Sequence, residues 1–211
     1  MKKSGLIFVI LFSLLIIGGV ELECYENEKY YRYIEETFIE NYNFVQNGVK
    51  LEYIANEGIA EEKSRIIEFI KNNITNDIEV NNSSINFCDD SLSYGINLID
   101  IGSTKVEVTI INNSSDIKSL DLRQAVERLK NNKCIDDRIY YFSKLKINED
   151  KNTTSFILDK INEDTIEEIE ISNGKVFKAE FIDGSKINIG QISYNTGTYI
   201  IIGTPVIFIT Y

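Results

Sequence analysis

Residues 166–211 read IEEIEISNGKVFKAEFIDGSKINIGQISYNTGTYIIIGTPVIFITY. Within this stretch Asn173-Gly174 and Asp183-Gly184 are dipeptides suited to the positive φ angles of tight type I′ hairpins, and Asn195-Thr196-Gly197 marks a third reversal. The segments between them are short and rich in β-branched and aromatic residues, so the stretch predicts an antiparallel meander. Its last part, from Thr198 to Tyr211, carries Ile200, Ile201, Ile202, Val206, Ile207, Phe208 and Ile209. Apolar residues on both alternating faces place that strand in the middle of the structure. Pro205 is the only proline in the chain. It cannot donate to a ladder and is expected at a bulge or strand start.

The same grammar extends upstream. Val49, Leu51, Tyr53 and Ala55 alternate with Lys50, Glu52, Ile54 and Asn56, a half-buried strand within Phe44–Ala55. Ile59, Ile66, Ile67, Ile70 and Ile74 share one helix face. Ser91–Ile101 and Thr104–Ile111 read as strands joined by a Gly102-Ser103 turn. Leu122, Ala125, Val126 and Leu129 form an i, i+3, i+4, i+7 stripe, with Asp121 near its start and Lys130 and Lys133 near its end, the polarity a helix dipole favours. Ile139–Ile147 then predicts a strand and Thr153–Ile161 a helix bearing Phe156, Ile157, Leu158 and Ile161. Ahead of all these, Tyr30, Tyr31, Ile34, Phe38 and Ile39 recur at helical spacing, with Glu35, Glu36 and Glu40 between them.

Tyr53–Val80 and Leu145–Ile171 share an order of strand, polar turn, helix and acidic strand, which reads as two pseudo-repeats. Such halves merge into an α+β fold: a curved, mainly antiparallel sheet with helices on one face, because a sheet with one apolar side must cover it.

The first twenty residues differ in kind. Lys2 and Lys3 precede an uncharged run from Gly5 to Val20, a secretory n-region and h-region. The run is shorter than the roughly 20 residues of a comfortable spanning helix, yet no Ala-x-Ala-like cleavage site follows it. Residues 1–20 therefore read as signal peptide or membrane anchor, with the anchor favoured by Gly18-Gly19-Val20 and the paired lysines. Residues 21–27 read as a linker, and 28–211 as a single domain outside the cytoplasm. Lipidation of Cys24 is excluded, since Glu23 and Glu21 stand where that signal needs a small and an apolar residue.

The chain has 211 residues, 43% of them hydrophobic, with 22 basic and 33 acidic side chains. Such a surface repels nucleic-acid phosphates and anionic lipid heads. Cys24, Cys88 and Cys134 make no C-x-x-C and no metal spacing, and a Cys88–Cys134 disulfide is one open option. Histidine is absent, which removes Ser-His and Cys-His nucleophilic systems and the commonest zinc ligand. Paired carboxylates at Glu61-Glu62, Asp89-Asp90, Asp136-Asp137, Glu163-Asp164 and Glu167-Glu168 read as solvated surface, because neighbours on a strand face opposite ways. Asn148, Asp150 and Asn152 open like a calcium loop, but Thr153 stands where that loop needs glycine and Asp159 where it needs glutamate. The glycines are scattered through turns and form no phosphate cradle.

The N-terminal hydrophobic segment, the Tyr-rich helix, the strand and helix from Tyr53-Ile54-Ala55-Asn56 to Ile74, and the phrase Tyr199-Ile200-Ile201-Ile202-Gly203-Thr204-Pro205-Val206-Ile207-Phe208-Ile209-Thr210-Tyr211 together resemble the YwmB family of exported Gram-positive bacterial proteins. The resemblance covers roughly residues 28–211. It implies a fold similar to the TATA-box-binding protein, two pseudo-repeats sharing a saddle-like sheet, without DNA binding, since fold does not carry function. It supplies no catalytic, cofactor or metal residue. The resulting expectation is a non-enzymatic interaction module of the cell envelope, with an envelope protein or wall polymer as partner and residues 5–20 meeting the membrane if uncleaved. The alternative is a carboxylate-dependent wall-polysaccharide hydrolase or lyase.

Overall fold

The computed structural model describes residues 28–147 and 158–208. The N-terminal hydrophobic run, Cys24, the calcium-like loop at 148–153, most of the helix expected over 153–161 and the last three residues lie outside them. Leu158–Lys160 form a 3-10 turn and Ile161 opens a strand. Among the described residues no helix is long and apolar enough to cross a membrane.

The first helix, α1, covers residues 28–41. It is followed by β1 (Asn43–Ala55), α2 (Ile59–Asn73), β2 (Ile78–Val80), β3 (Ser84–Asp89), β4 (Leu92–Asp100) and β5 (Thr104–Asn112). A 3-10 turn, Ser119–Leu122, leads into α3 (Arg123–Glu127), then β6 (Ile135–Ile147), β7 (Ile161–Ile171), β8 (Gly174–Phe181), β9 (Lys186–Tyr194) and β10 (Gly197–Thr204). The strands make one sheet in the order β2-β3-β4-β5-β1-β6-β10-β9-β8-β7, and neighbouring strands run antiparallel. The fold is thus α+β with a mainly antiparallel sheet.

Period-two alternation divides the sheet into two faces. Val49, Leu51, Tyr53 and Ala55 of β1, Val106, Val108 and Ile110 of β5, and Tyr141 and Leu145 of β6 join Tyr31, Ile34 and Phe38 of α1, Ile66 and Ile70 of α2, and Val126 of α3 in one buried cluster. Burial of each such aliphatic side chain contributes about 1.5–3 kcal/mol. The stripe of α3 is buried as its spacing predicts, but the α-helix itself is only five residues long. Leu129 and Lys130 donate to Val126 and Glu127, and these i→i−3 bonds tighten the chain into a turn.

Among the described residues the other face has no helix, yet Phe142, Tyr199 and Ile201 on it are 0%, 9% and 1% exposed and lie outside the main cluster. The C-terminal segment lies against this face. Phe208 stacks edge-on against Phe142 at 5.2 Å and Tyr140 at 6.2 Å. A Cβ on Gly203 would meet Ile207 at 3.0 Å, and Asn188 Nδ2 donates to the Pro205 carbonyl at 2.5 Å. Strand β10 is therefore interior, between β6 and β9, and apolar on both sides as its sequence predicts. Pro205 differs from expectation: it stands just beyond the end of β10 rather than at a bulge or strand start, and the ladder needs no donor there.

The meander is present, with revisions at its first two turns. Ile171 pairs with Gly174 across Ser172-Asn173, and neither turn residue has positive φ, so this is not a type I′ turn. Gly174 serves close approach instead, because a Cβ there would lie 2.0 Å from the Gln191 carbonyl oxygen. At the second turn Gly184 (φ 84°) has positive φ but Asp183 does not, and Phe181 donates to Ser185 across Ile182-Asp183-Gly184, so this is a three-residue loop and not a type I′ turn; Gly197 (φ 130°) also supplies positive φ.

Candidate functional site

At one end of the central strands a cavity of about 420 Å³ opens between the end of β1, the start of α2, the β4–β5 turn and the start of β6. Its walls are aliphatic at Ile54, Ala55, Ile59 and Ile135 and polar at Asn56, Ser103 and Thr104. The strand pairing that builds it is Ile54 with Ile135 on one side and with Lys105 on the other. Glu57 and Asp100 also line it, and no basic side chain does. The Asp100 Oδ1 accepts the Gly102 N–H at 2.9 Å, which shapes the β4–β5 turn. Gly58 N-caps α2 in extended conformation with no side-chain cap. A Glu61 carboxylate oxygen lies 2.6 Å from where a Cβ on Gly58 would stand, so the helix's positive end already faces acid from its own first turn. Ile135 of the lining is 57% exposed, and Ile99 and Ile101, the chain neighbours of the lining residue Asp100, are 39% and 59% exposed.

Behind the cavity, Glu62 is fully buried. It accepts hydrogen bonds from Tyr53 Oη at 2.7 Å, Arg65 Nη2 at 2.7 Å, Arg65 Nε at 2.9 Å and Asn131 Nδ2 at 3.1 Å. Asn131 Nδ2 also donates to Glu57 at 2.8 Å. Burial pushes the Glu62 carboxyl up, but the bonds from Arg65, Tyr53 and Asn131 outweigh it and hold the carboxyl below its usual range. Burial drives the Tyr53 hydroxyl upward, and its bond to Glu62 adds to the rise.

A second buried carboxylate, that of Glu35, lies on the inward face of α1. Glu35 accepts from the Ser119 N–H at 3.0 Å, from Asn47 Nδ2 at 3.1 Å and from Ser143 Oγ at 2.5 Å. Asn47 and Ser143 are paired across the β1–β6 seam, and Asn112 donates to Asn47 at 2.8 Å. Burial raises the carboxyl of Glu35 despite these bonds. It also raises the Tyr31 hydroxyl well above its usual value, with the neighbouring Glu35 adding to the effect.

Neither glutamate stands out by its chemistry in the sequence: Glu35 falls among the charges between the apolar positions of the first helix, and Glu62 belongs to a pair that reads as solvated surface. A signal exists in the spacing. Tyr31, Glu35, Phe38 and Tyr42 fall at i, i+4, i+7 and i+11, and Ile59, Glu62, Ile66 and Ile70 at i, i+3, i+7 and i+11, so each glutamate continues an apolar stripe.

The candidate carboxylates do not converge. Asp89 pairs with Leu92, and the row continues through Asn112 and Asn47 to Ser143. Asp137 is six residues further along β6, roughly 20 Å at 3.3 Å per residue, with four strand spacings of roughly 4.8 Å between β3 and β6. Asp90 and Asp136 both have positive φ, at a turn and beside a register shift. Glu163, Asp164, Glu167 and Glu168 lie on β7, the edge strand, and are exposed. Among the described residues no group of three or more Cys, Asp or Glu side chains is placed to hold a metal ion. Cys88 and Cys134 are both free thiols.

The helix-free face carries a charge quartet at its centre. Glu52 and Glu107 stand directly opposite each other on β1 and β5, an arrangement that repels. Lys105 bridges them at 3.1 and 2.7 Å, and Lys50 contacts both as well. No protein-family model matches the chain, and no curated protein matches it either.

Proposed function

We propose that this chain is a non-enzymatic binding module of the cell envelope. Residues 5–20 hold it to the outer face of the cytoplasmic membrane, or are cleaved to release it. It contacts an envelope protein or wall polymer through the strand-end surface around the cavity. The observation that carries this reading is the exposed aliphatic rim of Ile99, Ile101 and Ile135 beside a concavity of ligand size. The runner-up, a wall-polysaccharide hydrolase or lyase, requires an acid and a base within about 5–9.5 Å. Asp89-Asp90 and Asp136-Asp137 are several times further apart. The test is retention from envelope extracts by the full-length protein: one specific species is expected, and retention no greater than by an Ile101→Asp, Ile135→Asp variant would overturn the reading.

We further propose that the sheet comprises two related halves, in the manner of the TATA-box-binding protein and the YwmB family. Supporting this, the order runs outward from β1 as β1-β5-β4-β3-β2 and from β6 as β6-β10-β9-β8-β7. The two adjacent central strands are each 13 residues long. An experimental structure in which the halves fail to superpose would remove the proposal.

A further inference from the structure

We propose that the strand-end cavity is a site for an alkylammonium group, an aliphatic chain ending in a positive charge. This rests on the binding-module reading and specifies the chemistry of its ligand.

Four observations converge on it. The walls at Ile54, Ile59 and Ile135 offer aliphatic surface on three elements, which matches a run of methylenes and gains from each one removed from water. Glu57 and Asp100 place two carboxylates on the same lining, with no basic side chain among the lining residues. The nearest open-face lysine, Lys105, is held between Glu52 and Glu107 and so does not neutralise them. The remaining candidate for attracting an anion, the N-terminus of α2, faces the carboxylate of Glu61. An anion entering the cavity meets like charge, whereas a neutral alkyl group leaves the carboxylates without a counter-charge. An ammonium on a chain of four or five carbons satisfies both parts of the lining, its stem along the isoleucines and its head toward the acids.

Two sources present this chemistry: a free alkylamine, or a lysine side chain on a partner protein. Ligand-observed NMR on the full-length chain in neutral detergent micelles separates them with n-pentylamine and Nα-acetyl-lysine N-methylamide as probes, and n-pentanol and pentanoate as controls. Saturable binding of an amine is expected, with pentanol and pentanoate weaker. Tighter binding of the lysine derivative identifies a partner's side chain, and tighter binding of pentylamine a free amine. Glu57→Gln and Asp100→Asn keep shape and hydrogen-bond acceptors, and each is expected to weaken amine binding roughly two- to fivefold, in line with a partly exposed ion pair. Ser103→Lys, which carries an ammonium into the cavity, should abolish it while thermal stability holds. Equal binding of pentanol and pentylamine, or amine binding unchanged in the double variant Glu57→Gln, Asp100→Asn, overturns the site. If the amines fail but envelope retention still depends on Ile101 and Ile135, the ligand class is wrong and the module stands; if both fail, the module falls as well.

Discussion

Ser143 Oγ donates to Glu35 Oε1 at 2.5 Å, a bond between residues 108 positions apart that ties α1 to the seam between the two central strands. The carboxylate is 0% exposed, and its described partners are neutral donors with no cation among them. It is held by geometry alone, and the geometry requires α1, β1, β6 and the turn before α3 to be in place together.

Replacing Glu35 with Leu leaves the Ser119 N–H, the Asn47 amide and the Ser143 hydroxyl without this acceptor. The expected loss is about 3 kcal/mol in denaturant-unfolding stability, given about 1–3 kcal/mol for each strongly unsatisfied buried group. Glu35→Gln, which keeps one acceptor oxygen, should lose less.

The two buried glutamates respond to pH with opposite sign. The folded-state pKa of Glu35 is raised, so the folded protein holds the proton more tightly and this contribution is complete below the unfolded value of about 4.3. It is lost as pH rises through the folded pKa. For Glu62 the folded pKa is lowered, so its contribution is present above about 4.3 and lost as pH falls through the folded pKa. Stability measured from pH 3 to 8 in Glu35→Gln and Glu62→Gln should therefore diverge from the parent at opposite ends of the range. Parallel curves would contradict both assignments.

Arg65 makes two of the hydrogen bonds that keep Glu62 charged in the interior, through Nε and Nη2, and Nη2 also reaches the Leu129 carbonyl at 2.7 Å. Arg65→Met strands a buried carboxylate and is expected to cost about 3–5 kcal/mol. The double variant Arg65→Met, Glu62→Met should recover much of that, which a double-mutant cycle measures.

Gly203 and Gly174 are predicted to be intolerant for reasons of space. Gly203→Val would push Ile207 off the helix-free face and expose Phe142 and Ile201; the expected result is faster proteolysis of the C-terminal segment and about 1–3 kcal/mol lower stability. Gly174→Ala meets the Gln191 carbonyl on the adjacent strand pair and should disturb the β7–β8–β9 register. Wild-type stability in both variants would contradict the placement.

Much of this arrangement is legible in the sequence, where local period and burial agree. The alternation of Val49, Leu51 and Tyr53, the isoleucine stripe of α2, the Gly102 turn and the doubly apolar Ile200–Ile202 each report one physical constraint, and the structure honours each. The losses occur where two constraints compete. Glu35 and Glu62 carry charge, so polarity argued for solvent although their spacing put them inside. The dipeptide Asn173-Gly174 points to conformational freedom, whereas Gly174 answers to the Gln191 carbonyl on β9. The short strand β3 is not legible, because Ser84–Asp89 is too polar to display a pattern until Ile85 and Phe87 find Ile96 and Tyr94 across the ladder. The cavity itself was invisible, since it is assembled from four segments between Ile54 and Ile135 that no local pattern connects.

The most direct test of the binding-module account is site-specific photocrosslinking in intact cells, using the full-length protein with a photoreactive residue at Ile101 on the cavity rim or, as a control, at Glu68 on the exposed side of α2. The account predicts one recurring envelope species captured from position 101 and absent from position 68. The same spread of bulk neighbours from both positions would contradict it.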